Sequence, residues 1–426
     1  MTLTALLVIL LVTLAFGLPI AYGLLASVLA VIVLFNPGVS VGMAAQTLTT
    51  ANDSFPIMAV PFFILAGLIM GRGGISKRLF QIANAFVGHI PGGVGVAAVL
   101  TAMFFSAISG SGPATVAAVG GIMIPEMVRL GYSRRFSAAL IAASGTIGVV
   151  IPPSIPLVIY GVVTGTSIGD LFLAAVIPGI LMGLVLIVWA VVHAKRNGIP
   201  SAPRSSWGTR LRALNGAKGG ILLPVIILGG IYGGVFTPTE AAVVAVVYGA
   251  VLASLIYREL SLRAMLETFV SATLTTSALM FIVAAAAIFG RVLTIENAPQ
   301  AIIEALSAVS TNPFVIILLV NLLLLLLLLL GTFMETIAAV TITAPILVPV
   351  LSLAGLDPVH IGVIIVVVLS FGFITPPLGV NLFIAANVAK VKTGEAITAV
   401  APGFVLLVAV GLLVSFVPVL SMVFIS

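Results

Sequence analysis

Two adjacent prolines inside an apolar stretch constrain this chain more than any other feature. The segment Ser144-Gly-Thr-Ile-Gly-Val-Val-Ile-Pro-Pro-Ser-Ile-Pro156 lies in apolar sequence long enough to cross a bilayer. A proline lacks an N–H and restricts the residue before it, so a helix must break at Pro152 and Pro153. Broken backbone at membrane depth leaves amides and carbonyls without partners, which is tolerated only inside protein or beside a water-filled cavity. The same break returns at Ser370-Phe-Gly-Phe-Ile-Thr-Pro-Pro-Leu-Gly-Val-Asn381. Interrupted helices at corresponding places in two halves point to the binding site of a secondary transporter.

The surrounding composition sets the class. Of 426 residues, 62% are hydrophobic and 7% charged, against about 25% charged in a soluble domain. The expectation is an all-α polytopic membrane protein with no soluble domain. The net charge of +6 then marks cytoplasmic loops rather than a nucleic-acid partner. With no cysteine, disulfides and thiolate chemistry are excluded. The stretch Met1 to Gly17 has no basic region and no clear cleavage site, and reads as a retained span rather than a signal peptide.

Taken in order, the expected spans are 3–34 and 55–70, the latter stopped by Arg72, Lys77 and Arg78. An interfacial helix follows at 79–90. Residues 93–128 form a re-entrant hairpin with Ser109-Gly-Ser-Gly-Pro-Ala-Thr115 at its tip, because basic clusters flank both outer ends. The first broken helix covers 136–166, and 171–193 returns to the basic side. The polar stretch 199–218 is the expected cytoplasmic linker between a first repeat, 1–198, and a second half, 219–426. There 219–236, 239–257 and 264–290 cross, a second hairpin covers 312–351 with Gly331-Thr-Phe-Met-Glu-Thr336 at its tip, the second broken helix covers 360–389, and a last span ends the chain. This layout puts the N-terminus in the cytoplasm and the C-terminus outside. It leaves Arg291 as the one outward basic residue of 17.

Proline and glycine punctuation repeats. Pro19 and Pro238, and Gly71 and Gly290, are 219 apart. Pro125 and Pro349, Gly148 and Gly372, Pro152 and Pro376, and Pro178 and Pro402 are 224 apart. The extra crossing at 219–236 inverts the second half, giving two inverted-topology repeats with the site expected at their interface.

Hydroxyls at the first tip (Ser109, Ser111, Thr115) are expected to face Ser144, Gly145 and Thr146 of the first break. Gly331 and Thr332 are expected to face Gly372, Thr375 and Pro376 of the second. Hydroxyls and freed carbonyls at helix C-termini suit a small cation such as Na⁺, and helix N-termini suit an anion. The plainer alternative is that small residues only let helices pack closely. Glu335 is the lone acid at a hairpin tip, either a cation or proton ligand or an idle vestibule residue. Asn52, Asp53 and Ser54 line the site or form an ordinary exterior loop. No P-loop motif is present, and neither Ser109 nor Ser111 has the glycine two residues before it that a rhomboid-like nucleophile needs, so no enzyme is expected. A passive anion channel would use the same hairpins and is the rival of a different class.

The segments Phe105-Ser-Ala-Ile-Ser-Gly-Ser-Gly-Pro-Ala-Thr-Val-Ala-Ala-Val-Gly120, Ile151-Pro-Pro-Ser154, Gly234-Val-Phe-Thr-Pro-Thr-Glu-Ala241 and Thr375-Pro-Pro-Leu-Gly-Val-Asn381 resemble the large membrane subunit of tripartite ATP-independent periplasmic (TRAP) transporters. The resemblance implies an elevator-type, Na⁺-driven importer of organic acids in a bacterial inner membrane. It implies a small four-helix membrane subunit, expected here as a separate chain, and a periplasmic solute-binding protein as partners, and no cofactor beyond Na⁺. It assigns a first sodium site to Ser109, Gly145, Val149 and Pro152, to which the tip adds Ser111, and a second to Gly331, Gly372, Thr375 and Pro376, to which the tip adds Thr332. Asn52, Ser54, Thr115, Ser154, Glu335 and Asn381 are the expected solute contacts. The tip Ser109-Gly-Ser-Gly112 differs from the Ser-Gly-Ser-Ser of sialic-acid members, which favours a C4-dicarboxylate or similar acid over sialic acid.

Overall fold

The computed structural model describes residues 2–35, 38–330, 336–376 and 379–425, and among these it is helical with no strand. Seven of the described helices are long and apolar enough to cross a membrane. The first half runs α1 (Thr2–Ala15), α2 (Ile20–Phe35), α3 (Val41–Thr50), α4 (Ala59–Arg72), α5 (Ile75–Val87), the hairpin arms α6 (Gly93–Ser109) and α7 (Gly112–Arg129), then α8 (Arg134–Thr146), α9 (Ile155–Thr164) and α10 (Ile168–Arg196). The second half runs α11 (Trp207–Tyr232), α12 (Pro238–Val251), α13 (Leu262–Ile295), α14 (Ala298–Val309), the arms α15 (Pro313–Leu330) and α16 (Thr336–Leu353), then α17 (Pro358–Ser370), α18 (Val380–Ala389), α19 (Thr393–Phe416) and the short α20 (Val419–Met422).

Local chemistry sets many of these starts. Hydroxyls of Ser133, Ser154, Ser167, Ser206 and Ser261 accept a backbone N–H in the first turn of α8, α9, α10, α11 and α13. Thr237 and Glu240 form a reciprocal capping box at α12.

Two expectations fail at the boundaries. Residues 3–34 are not one span. The chain turns at Gly17, whose φ of +80° suits glycine, and Pro19 cannot continue a helix from α1. Helices α1 and α2 then pack on each other, with Thr13, Leu10 and Leu14 against Gly23. Nor is 199–218 a linker throughout, because α11 begins at Trp207. The cause is Arg210, only 6% exposed. Its Nε donates to the carbonyl of Ala85 at 3.2 Å, and its guanidinium lies over the rings of Trp207 and Phe86. Ala85 O is among the last carbonyls of α5, which have no partner within their own helix. Arg210→Ala is expected to lower stability by about 1–3 kcal/mol, read as a lower unfolding midpoint of the detergent-purified protein. An unchanged midpoint would mean that this contact holds nothing.

These corrections improve the repeat. Helices α1 and α2 now correspond to α11 and α12, with turn glycines Gly17 and Gly234 both at positive φ. Helices α4 to α10 correspond to α13 to α19 in order. The packing has the same exchange symmetry. Helix α4 packs on α12 while its counterpart α13 packs on α2, and α4 meets α13. The second half of each broken helix docks on the other half of the chain: α9 lies against α16 and α17, and α18 against α7 and α8. One large apolar core joins the hairpins, the broken helices, α10 and α19 with α4, α5, α11, α12 and the first part of α13. A smaller one joins α1, α2 and the end of α13.

Candidate functional site

The first tip and the first break meet in the interior. The Ser109 hydroxyl lies 3.0 Å from that of Thr115, and Thr115 Oγ1 donates to the Ser111 carbonyl at 2.8 Å. Ser109 and Thr115 are each 1% exposed. Gly110, at φ +58°, lets the chain turn, and its carbonyl accepts the Ile155 N–H that opens α9. The tip is therefore tied to the far side of the break. Helix α8 ends in a tight turn at Ile147–Val149, and the chain restarts at Ile155.

Glycine makes this approach possible. A Cβ on Gly112 would sit 2.9 Å from the Gly145 carbonyl oxygen, and one on Gly148 would sit 2.8 Å from the Ser111 carbonyl oxygen. Sequence reasoning chose the hydroxyls and Gly145 but not Gly112 or Gly148. The signal for both was present in the paired glycines of Ser-Gly-Ser-Gly and Gly-Thr-Ile-Gly. Scaffold helix α4 also reaches the tip: a Cβ on Gly67 would lie 3.0 Å from Ser109 Cα.

Asn381 enters this cluster from the other repeat. It is the second residue of α18, 0% exposed, and its Nδ2 donates to the Ala142 carbonyl of α8 at 3.2 Å. Its Oδ1 is buried without a hydrogen-bond partner among the described residues. The carboxamide lies against both Gly112 and Gly145. Helix ends therefore converge in two sets. The C-termini of α6 and α8, with carbonyls outward, favour a cation, while the N-termini of α7, α9 and α18 favour an anion. Hydroxyls, amides and carbonyls, with no formal charge among these residues, are hard oxygen donors suited to a small hard cation.

The second cluster is described in part. Gly331, Thr332 and Glu335 lie outside the described residues, as does Pro377. In the second break, Thr375 is 4% exposed and its Oγ1 donates to the Phe371 carbonyl at 2.7 Å. Its own carbonyl accepts the Gly379 N–H at 3.0 Å. Gly372 lies in the tight turn that ends α17, and Pro376 is exposed.

The remaining candidates sit elsewhere or are otherwise employed. Ser154 Oγ donates to the Val149 carbonyl and accepts the Leu157 N–H, so this hydroxyl closes the break. Pro152 is buried in the same turn. Asn52 Nδ2 donates to the Met280 carbonyl of α13 at 3.0 Å, and the Asn52 Oδ1 and Ser54 Oγ atoms are buried without partners among the described residues. Both residues precede α4, whereas the tip touches α4 at Gly67, about 20 Å further along at 1.5 Å per residue. Ser54 instead lines a cavity of about 480 Å³ between the α9–α10 turn and the start of α12, with Thr166, Thr237 and Thr239.

Comparison with known proteins places this geometry. The family profile described as the tripartite ATP-independent periplasmic transporter DctM component matches residues 7–420. The chain is 45% identical over 409 residues to the isethionate TRAP transporter permease protein DctMQ of Oleidesulfovibrio alaskensis, which covers 96% of the chain; the chain spans 64% of that relative. It is 44% identical over 391 residues to the C4-dicarboxylate TRAP transporter large permease protein DctM of Pseudomonas aeruginosa, covering 92% of the chain and 91% of the relative. Among solved structures, MtrF of Neisseria gonorrhoeae, from a class of antimetabolite efflux pumps, superposes with a TM-score of 0.59 at 16% identity, covering 88% of this chain and 84% of that one. That last likeness is one of fold alone.

Proposed function

Since this chain belongs to the DctM-component family of tripartite ATP-independent periplasmic transporters, we propose that it imports a small organic acid anion coupled to Na⁺ by an elevator movement. The chain is a multi-pass membrane permease and not an enzyme. The observation that carries the finer reading is the meeting of tip and break, where carbonyl ends of two helices face amide ends of three. Na⁺ at Ser109, Ser111, Gly145, Val149 and Pro152, and at the matching second cluster, would neutralise the carbonyl ends. An anion near Thr115 and Asn381 would then meet Na⁺ and amide dipoles. Each ion supplies the counter-charge that the other needs in a first cluster whose described residues carry no charged side chain, which is a physical basis for coupling.

The hairpins and broken helices interlock across the repeats, α9 against α16 and α18 against α7 and α8, so they are suited to move as a unit against α2, α4, α12 and α13. Gly67 gives the tip a flat scaffold contact along which to slide. A small membrane subunit would cover scaffold helices, and a periplasmic binding protein would deliver the solute. Relatives are named for isethionate, C4-dicarboxylate, sialic acid and 2,3-diketo-L-gulonate, and we keep the dicarboxylate or a similar small acid as the solute, with sialic acid or another sugar acid as the alternative. Splitting the first span reverses one terminus. With Arg72 inside, α4 runs inward, α2 outward and α1 inward, so the start of α1 lies on the periplasmic side. No Lys or Arg precedes Arg72, so the charge rule is met as before.

The test is uptake of labelled C4-dicarboxylate, isethionate and sialic acid into proteoliposomes holding this chain with its small subunit. Binding protein is added outside, and an inward Na⁺ gradient is imposed or withheld. Uptake requiring both establishes the reading. Uptake that ignores Na⁺ and stops at equilibrium establishes a passive channel instead. In the same assay Ser109→Leu and Thr375→Leu are each expected to abolish uptake with normal membrane insertion. Wild-type uptake in both would remove these positions from the site.

A further inference from the structure

A groove of about 540 Å³ lies on the scaffold surface between α5, α11 and the end of α12. Its floor is α11 at Asn215, Gly216 and Gly219. Glycine creates both the depth and the walls. A Cβ on Gly216 would meet nothing within 4 Å, whereas the side chain of Leu252 lies against Gly219 and that of Ile75 against Gly220. Leu222, Leu252 and Ile256 give it an apolar wall; Leu222 and Ile256 are 47% and 63% exposed. Arg78, Lys218 and Tyr257 stand on the side of the basic loop, and Tyr248 lies deeper between the apolar residues.

The polar groups are held in place. Tyr257 donates to the Gly216 carbonyl at 2.9 Å and Tyr248 to the Gly219 carbonyl at 3.0 Å. Arg78 pairs with Glu259 at 2.6 Å and lies 3.8 Å over the Tyr257 ring. Glu259 thus offsets Arg78, while Lys218 has no ion-pair partner among the described residues. No carboxylate lines the groove among the described residues, so its rim is net positive. The polarity also has a direction. On α11 the polar residues Asn215 and Lys218 lie nearer the basic loop and Leu222 lies deeper; past the end of α12, Tyr257 adjoins Arg258 and Leu252 is deeper, with the Tyr248 hydroxyl capping the Gly219 carbonyl from deeper still. Tyrosine and lysine at the level of the headgroups, above an apolar trough, match the membrane–water boundary.

We infer that this groove holds a phospholipid of net negative headgroup. Its phosphate sits against Lys218 and Arg78, and one acyl chain lies along Leu222, Leu252 and Ile256. A zwitterionic lipid offers the same phosphate with a cationic group beside it, so charge complementarity selects the anionic kind.

The test is native mass spectrometry of the detergent-purified chain, alone and with its small subunit, after exposure to micelles containing phosphatidylglycerol or phosphatidylcholine. The variants are Lys218→Gln, which removes the unpaired charge, and Gly216→Phe, which fills open space without displacing a neighbour. Wild type is expected to retain phosphatidylglycerol over phosphatidylcholine, Lys218→Gln to lower that occupancy about fivefold, the worth of one basic residue at an anionic surface, and Gly216→Phe to lower retention of either lipid by filling the groove. Unfolding midpoints near wild type show that neither change acts through misfolding. Equal retention of the two lipids, or unchanged occupancy in both variants, overturns the inference. So does loss of the adduct when the small subunit binds, because a protein segment would then fill the groove.

Discussion

Gly145→Val is expected to abolish Na⁺-dependent uptake while leaving the protein inserted in the membrane. A Cβ at this position would collide with the Val116 side chain of the hairpin and stand 2.7 Å from Asn381 Nδ2. Neither neighbour can retreat freely, since Val116 and Asn381 are each 0% exposed. Overpacking of this kind costs about 1–3 kcal/mol, and here the strain falls between the tip, the break and the intruding α18. Gly121→Val is the control. Gly121 lies on α7, the hairpin arm that carries Val116, and a Cβ there would meet nothing within 4 Å. Labelled-solute uptake normalised to the amount of reconstituted protein separates the two. Equal loss in both would implicate glycine removal in general, and wild-type uptake by Gly145→Val would show that the close approach is dispensable.

Asn381→Leu carries the second largest expected effect, a fall in uptake of about tenfold or more, from losing a buried hydrogen bond worth about 1–3 kcal/mol to its partner group. The substitution keeps the side chain's approximate size, but it removes the donor to Ala142 and the unpartnered Oδ1. If the carboxamide takes part in binding, the half-saturating concentration of solute or Na⁺ rises in the variant. A packing role alone would lower the maximal rate and leave both half-saturating concentrations in place. Wild-type values for all three would take Asn381 out of the site.

Asn381 also shows where sequence reading stops. Its position after Pro376 in a broken helix was legible. That it would reach the first repeat's tip was not, because this depends on α18 packing against α7 and α8. Ser154 illustrates the reverse case. A serine after two prolines reads equally well as a ligand or as a helix cap, and only the bond from its hydroxyl to Val149 settles its use. The N-terminal hairpin was missed for a different reason. Residues 3–34 are apolar throughout, so hydropathy cannot divide them, and the signal was the left-handed Gly17 followed by Pro19. Arg210 was assigned to a polar loop on composition alone, although a carbonyl at the end of α5 and two rings were waiting for it.

The sequence by itself determined the membrane class, the helix breaks, the hairpin arms and the order of the repeats. These follow from properties local in the chain: runs of apolar residues of fixed length, prolines without an N–H, and glycines at recurring offsets. The tertiary structure alone decided which half-helix ends converge, which glycines admit a carbonyl, and which repeat supplies the buried carboxamide. The last of these joins Asn381 to Ala142, 239 positions away. Interlocking the two broken helices satisfies, across the repeats, backbone and side-chain groups that neither half can satisfy alone.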